Sequence, residues 1–287
     1  MGMLILCPTP IGNLKDMTER AKQALMEADL IAAEDTRNTA KLLSLYGIDR
    51  PLLSYHQHNE QSRSEEIIRR IQDGQTIALV TDAGMPAISD PGQILVRKCR
   101  EAGVPVTCLP GPCAFVTALA LSGLDSRRFI FEGFLPTDKK ERKAVLDELL
   151  NAHHTTIFYE APHRLKKTLA ELCPVVDGRP MAVVRELTKV HEECRIGTAK
   201  EHLAYFEENE PKGEFVLVIE GKRPEELQKE QIARFEEMTV REHMALYADL
   251  PEKEAMKQVA KDRGVSKREI YQALLSDDAD EQPEGNE

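Results

Sequence analysis

The sequence predicts an α/β protein, with two successive α/β domains followed by a small helical one. Three observations predict it. Apolar runs of strand length alternate with amphipathic stretches of helical period from the first residues onward. Glycine- and proline-rich segments recur directly after those runs, and from Glu225 the strand-like runs give way to polar helical stretches. A chain of 287 residues has room for two domains of about 100–200 residues each.

The elements follow in order. Residues 3–7 read as a first strand leading into a helix over 17–27, then 30–33 into 39–46, and 52–55 into 64–72. In the last of these helices Ile67, Ile68 and Ile71 share one face. The apolar run 76–80 precedes a helix opening at Ile94, and 105–109 precedes one over 114–121. Five strand–helix units in a row imply a parallel sheet with helices on both faces. Ser122-Gly123-Leu124 closes this first domain, 1–123. In a second domain, 124–222, strands are expected at 129–134, 155–159, 181–184, 195–197 and 215–219, with helices over 141–150, 164–172 and 199–207. The short late connectors predict a mixed sheet.

A third segment, 225–276, carries helices over 255–261 and 267–275 around the turn Gly264-Val265-Ser266, with Ile270, Leu274 and Leu275 facing inward. This is the pattern of a helix-turn-helix. Between 253 and 275, six basic residues (Lys253, Lys257, Lys261, Arg263, Lys267, Arg268) against Glu254, Asp262 and Glu269 leave +3, which favours phosphate contact. The tail 277–287 holds six of the acids behind the net charge of −11 and no basic residue, and its composition predicts disorder. Global charge therefore does not argue against a nucleic-acid partner. No apolar run is long enough for a membrane span, and the N-terminus lacks the basic start of a signal peptide. Six scattered cysteines without a CxxC pair, and no histidine cluster, point to a reducing cytoplasm and away from metal or a disulfide frame.

The most informative segment is Thr81-Asp82-Ala83-Gly84-Met85-Pro86-Ala87-Ile88-Ser89-Asp90-Pro91-Gly92-Gln93, between a buried strand and a helix. Small residues let the backbone approach a ligand, and ligands of open parallel sheets sit at the carboxyl ends of strands. With a carboxylate at its mouth, such a loop suits a neutral or cationic small molecule. Three further loops belong to the same set: Pro8 to Leu14, Leu109 to Ala114, and Tyr159 to Arg164. None matches a phosphate or dinucleotide fingerprint. Cys113 has no evident base partner and reads as a small buried helix residue.

Taken together, Thr9-Pro10-Ile11-Gly12-Asn13-Leu14, Glu34-Asp35-Thr36-Arg37, Thr81 to Gly92, Pro110-Gly111-Pro112, Glu160-Ala161-Pro162-His163-Arg164 and Arg185-Glu186-Leu187-Thr188-Lys189 carry a resemblance. In this order they resemble the small-subunit ribosomal RNA cytidine 2′-O-methyltransferases, a branch of the tetrapyrrole methylase (class III methyltransferase) superfamily. The similarity covers about residues 3–222 and extends to the helix-turn-helix. Porphyrinoid-methylating relatives carry Gly-x-Gly-Pro-Gly-Asp where this chain has Pro8-Thr9-Pro10-Ile11-Gly12-Asn13, a departure that favours the RNA branch.

The resemblance implies two α/β domains with a ligand cleft between them and a cytoplasmic homodimer. It also implies S-adenosyl-L-methionine as methyl donor and a cytidine in the decoding region of 16S ribosomal RNA, in the small subunit, as target. It assigns Pro10, Asp82, Ala83, Gly84, Ile88, Ser89 and Ala114 to the cofactor from the first domain. From the second it assigns Ala161, Glu186, Leu187, Glu214 and Phe215.

For a general base, Glu160, Glu186 and Lys189 are candidates, since each follows a second-domain strand; ion pairs of Glu160 with Arg164 and of Glu186 with Arg185 are the structural alternative. Positioning is expected to dominate, with no single essential base. For RNA, the basic groups Arg127 and Arg128, Lys139, Lys140, Arg142 and Lys143, Arg164, and Lys267 and Arg268 are expected to line its path. A tetrapyrrole-type small-molecule C-methyltransferase and a DNA-binding regulator with a ligand-sensing α/β part are the competing functions.

Overall fold

The computed structural model describes residues 2–223, 235 and 238–280, with side chains up to 275. Two compact units emerge, residues 1–221 and 222–287.

The first unit holds two five-stranded sheets. Strands β1 (Met3–Leu6), β2 (Leu30–Ala33), β3 (Leu52–Ser54), β4 (Thr76–Val80) and β5 (Val106–Cys108) form the first, in the order β3-β2-β4-β1-β5. Every pairing in it is parallel. Helices α1 (Glu19–Glu27), α2 (Thr36–Leu45), α3 (Glu60–Gln72) and α4 (Gln93–Glu101) connect these strands. Strand alternation decides which helix covers which face. Leu4, Leu30, Ala32, Ile77 and Leu79 pack with Ile67 and Ile71 of α3 and Leu95 and Cys99 of α4. Ile31, Ala33, Ala78 and Val80 pack with Ala21 and Leu25 of α1 and Leu43 of α2 on the other face. A sheet buried on both faces explains why these strands read as continuous apolar runs. All five carboxyl ends share one edge, which gathers the glycine- and proline-rich loops there.

The second sheet is mixed, in the order β6-β7-β10-β8-β9. It comprises β6 (Phe129–Phe134), β7 (Thr155–Glu160), β8 (Met181–Arg185), β9 (Glu193–Gly197) and β10 (Phe215–Ile219). Only β6 and β7 run parallel. Helices α6 (Lys139–Leu150), α7 (Pro162–Leu172) and α8 (Ala199–Glu208) cover one face. Its other face is covered by α5 (Ala114–Ser122), whose Ala118 and Leu119 pack on Ile157, Ala182, Val184, Val216 and Val218. A boundary at 123/124 assigns α5 to the first domain by sequence order, whereas by packing it serves the second sheet. The apolar character of α5 on all sides hides this from periodicity.

In the second unit, helices Val240–Ala245, Glu252–Asp262 and Lys267–Asp280 share a core of Met256, Val259, Ala260 and Ile270. Two expectations differ here. Leu275 is half exposed rather than inward. Helix also continues through the first residues of the expected acidic tail to Asp280, and 281–287 lie outside the described residues. Arg263, counted among the phosphate-seeking cations, donates to the carbonyls of Met238 and Thr239 and to Nδ1 of His243, holding this small unit together.

Candidate active site

A cavity of about 340 Å³ opens at the shared strand edge of the first unit, within the size range of small-molecule sites. Ala83, Gly84, Ile88 and Ser89 of the loop after β4 line one side, with Ala114 at the start of α5. Ala161, Leu187, Glu214 and Phe215 line the other, where β7, β8 and β10 end or begin. These are nine of the residues expected to hold a cofactor. The lining also includes Met85, Asp90, Cys113, Phe134, Tyr159, Val184 and Val216. None of these seven is among the expected contacts, although Met85, Asp90, Cys113 and Tyr159 belong to loops expected to gather around a ligand. For Val184 and Val216 strand alternation offered a signal, but without the sheet order it names no partner.

The backbone is strained where the cavity is built. Among the described residues four non-glycines have positive φ: Ala87 (69°), Ser89 (61°), Glu186 (52°) and Thr188 (65°). All four lie in the two loops flanking the cavity, and such conformations persist only when the surroundings enforce them. Gly92 closes the first loop at φ 140°, where a Cβ would stand 2.8 Å from Leu79 and 3.1 Å from Ala87. Gly84, at φ 85°, exchanges two backbone hydrogen bonds with Thr9, of 2.9 and 3.0 Å, which tie the loop after β1 to the loop after β4.

Asp90, Glu160 and Glu214 line the space and Glu186 stands behind it, each held differently. Glu160 is buried and accepts from Ala161 N (2.9 Å) and Thr168 Oγ1 (2.6 Å), with the Arg164 guanidinium at 3.4 Å. The Glu160–Arg164 pair, the alternative to a base role, therefore forms. Glu186 takes a different partner from the one expected. It accepts from Lys189 Nζ at 2.8 Å and from Glu214 N at 3.0 Å, while Arg185 turns to Glu193 at 3.7 Å. Burial works to raise the Glu186 carboxyl, but these hydrogen bonds prevail and hold it below its usual range. Lys189 also donates to Glu214 at 2.8 Å, and the two carboxylates keep its ammonium above the usual lysine range despite partial burial. Asp90 is pushed up to about 6 by burial and by the negative charge of Glu34 and Asp82, against a hydrogen bond from Thr81. Burial also raises the Cys113 thiol, so no thiolate nucleophile is prepared there.

The remaining expected positions divide. Pro10 and Asp82 face not this cavity but a second one beside it. Glu186 braces the loop rather than lining the cavity. Arg142 is the clearest correction. Its side chain is buried, pairs with Glu171 and donates to Thr168 Oγ1 and the Pro136 carbonyl, so it cannot reach RNA. A basic run on a helix does not reveal which residue turns inward. Arg164 is likewise drawn inward, to Glu160 and the Leu135 carbonyl. Arg127, Arg128, Lys139, Lys140 and Lys143 are exposed in the first unit, Arg127 pairing with Asp125 at 2.9 Å. Lys267 and Arg268 are exposed in the second unit. Among the described residues no group of three or more His, Cys, Asp or Glu is arranged for a metal ion, and no helix is long and apolar enough to cross a membrane.

Comparison with known proteins fits this geometry. Residues 3–202 match the model of the tetrapyrrole (corrin/porphyrin) methylases. The chain is 48% identical to ribosomal RNA small subunit methyltransferase I of Bacillus subtilis (strain 168), over 95% of this chain and 94% of that one. It is 47% identical to the protein of the same name from Synechocystis, over 98% of this chain and all of that one. Among solved structures, uroporphyrin-III-C-methyltransferase from Thermus thermophilus shares the fold at a TM-score of 0.56 and 20% identity, covering 77% of this chain and 94% of that one.

Proposed function

The chain belongs to the ribosomal RNA small subunit methyltransferase I family of the tetrapyrrole methylases, a family of methyl-transferring enzymes, and from that premise we propose that it methylates the 2′-oxygen of a cytidine in the decoding region of 16S ribosomal RNA, with S-adenosylmethionine as donor. The observation that carries the proposal is the cavity itself. One side is floored by Ala83, Gly84 and Ala114, which leave room for a ligand against the backbone, and the other is walled by Leu187, Phe215 and Val216, apolar partners for an adenine ring. Asp90 supplies negative charge on one side and Glu214, shared with Lys189, adds acceptor oxygens on the other, so the lining suits a sulfonium that also carries an ammonium.

When bound, S-adenosylmethionine supplies an electrophilic methyl group on positively charged sulfur. The residues around it contribute placement. Holding two reactants in line supplies about 7–11 kcal/mol of the barrier, more than a general base at about 10²–10⁴-fold. Glu160 has its oxygens occupied by Ala161 N, Thr168 and Arg164, and Glu186 is held ionised by Lys189. Both carboxylates are fixed in place by these partners, which supports positioning over base catalysis. Single-turnover rates test this. Glu160→Gln, Glu186→Gln and Lys189→Met should each lose less than about 10³-fold, and a larger loss with cofactor affinity unchanged identifies a base.

The reading includes a cytoplasmic homodimer. Half-exposed Val116, Leu121, Phe129 and Ile130 are the apolar surface that supports a second copy. RNA approach is assigned to Lys139, Lys140 and Lys143 on α6, with Arg127 and Arg128, and to Lys267 and Arg268 of the helical unit. The decisive experiment incubates the protein with tritiated S-adenosylmethionine and small subunits from cells lacking this gene, followed by nucleoside analysis. Label in 2′-O-methylcytidine is the expected result. Label in a base, or none in the RNA, overturns the proposal.

A further inference from the structure

We propose that the second cavity holds the target nucleobase, and that Asp82 and Asn38 select one with an exocyclic amino group, cytosine. The inference rests on the RNA reading and deepens it. The cavity measures about 260 Å³ and lies between the loop after β1 and helix α2. Pro10, Leu14, Leu42 and Leu45 give it apolar walls. Leu14 and Leu45 are 45% and 66% exposed, an unusual amount of aliphatic surface left open beside a polar floor.

Its relation to the first cavity comes from the two loops that Thr9 and Gly84 tie together. Residues adjacent in sequence face opposite sides. Ile11, Ala83 and Gly84 line the first cavity, and Pro10, Gly12 and Asp82 line the second. The two bridged loops thus lie between the cavities, and in this proposal a nucleotide seated at their rim places base and sugar on either side.

The polar groups define what is read. Asp82 Oδ2 accepts from Asn38 Nδ2 at 2.9 Å, and Oδ1 accepts from Asp35 N at 3.3 Å. Each carboxylate oxygen has two lone pairs, so each keeps capacity for a further donor, and the Asn38 amide keeps a second N–H. Cytosine presents an amino donor beside two acceptors, which a carboxylate and an amide N–H complement. Uracil puts a carbonyl oxygen where cytosine has its amino group, and two acceptors then face each other. A site built to pair with a polar group rejects an analogue that leaves that group unpaired.

The test uses full-length protein and small subunits reconstituted on transcripts that carry cytidine or uridine at the mapped target. Single-turnover methylation is measured alongside calorimetric titration with S-adenosylmethionine. Wild type should favour cytidine by at least 100-fold. Asp82→Asn and Asn38→Ala should each slow the cytidine substrate at least tenfold and reduce the preference below tenfold, with cofactor affinity within twofold of wild type. Unchanged preference in both variants overturns the assignment. So does a fall in cofactor affinity that matches the fall in rate, which would return Asp82 to the donor site. If wild type labels no RNA at all, the ribosomal RNA reading fails and the nucleobase site fails with it. Asp82→Asn is isosteric and Asn38 is exposed, so both variants should fold, as thermal melting would verify.

Discussion

Both sides of the first cavity carry two positive-φ non-glycines, but beyond that they are held by different means. On the β4 side the backbone does the holding: small residues, two positive-φ non-glycines, Gly84 and Gly92, and a two-bond bridge to Thr9. On the side of the second sheet, charges pin the loops: Glu160 with Arg164 and Thr168, and Glu186 with Lys189 and Glu214. The parallel sheet presents five strand ends at one edge, and loops that meet there support one another through main chain. The mixed sheet sends only some of its strands to the cavity, and side-chain pairs supply the missing restraint. Damage should follow the same division. Added bulk should hurt the first side, and lost charge the second.

The largest effect is expected from Glu160→Ala. It removes a buried carboxylate and strands its donors, the Ala161 amide and the Thr168 hydroxyl, while partly buried Arg164 loses its counter-charge, and should cost about 3 kcal/mol of stability. Urea unfolding measures it. A loss below about 1 kcal/mol would show that charge does not secure this side. Next comes Gly84→Ala. At φ 85° a Cβ costs about 1–2 kcal/mol and would stand 3.2 Å from Ile11 Cγ2. If the strain is relieved by shifting the loop, cofactor affinity falls about tenfold in calorimetry, the equivalent of 1.4 kcal/mol. Unchanged affinity with lower stability would place the loop's role in folding alone.

The same division explains what could be read from the sequence. The first sheet was legible because each of its strand–helix units is contiguous in the chain, and its loops announce themselves by glycine and proline. Helix ends moved by a few residues where side chains cap them, as Asp35 and Asp138 do for Arg37 and for Lys140 and Glu141. The second sheet's strands were legible, but not which groups its loops would pair. Glu186 chose Lys189 over Arg185, because the positive φ of Glu186 and Thr188 folds the loop back on itself. Arg142 sits amid lysines that stay exposed, and nothing local marks it as the one that reaches Glu171. The split of the β1 loop between two cavities was also invisible, since it depends on the Thr9–Gly84 bridge between residues far apart in the chain.

Asp90 offers the smallest effect and the sharpest challenge to the comparison, since it is a charged group on the side held by backbone. Its folded-state pKa of about 6 lies above the ordinary aspartate value of about 3.9, so the folded protein binds its proton more tightly than the unfolded chain. The stability this contributes is complete below about pH 4 and is lost as pH rises through about 6. Discounted for the solvent that reaches this half-buried group, the loss is on the order of 1 kcal/mol. Asp90→Asn removes the ionisation but keeps the shape. Wild type should therefore lose stability relative to the variant between pH 4 and 7, measured as diverging urea midpoints. Glu34 and Asp82 are the acids that face Asp90, so Asp82→Asn should lower its pKa and narrow that divergence. A gap between wild type and Asp90→Asn that stays constant across the range would mean that neither burial nor these neighbours hold the proton on Asp90. The β4 side would then be secured by its backbone alone.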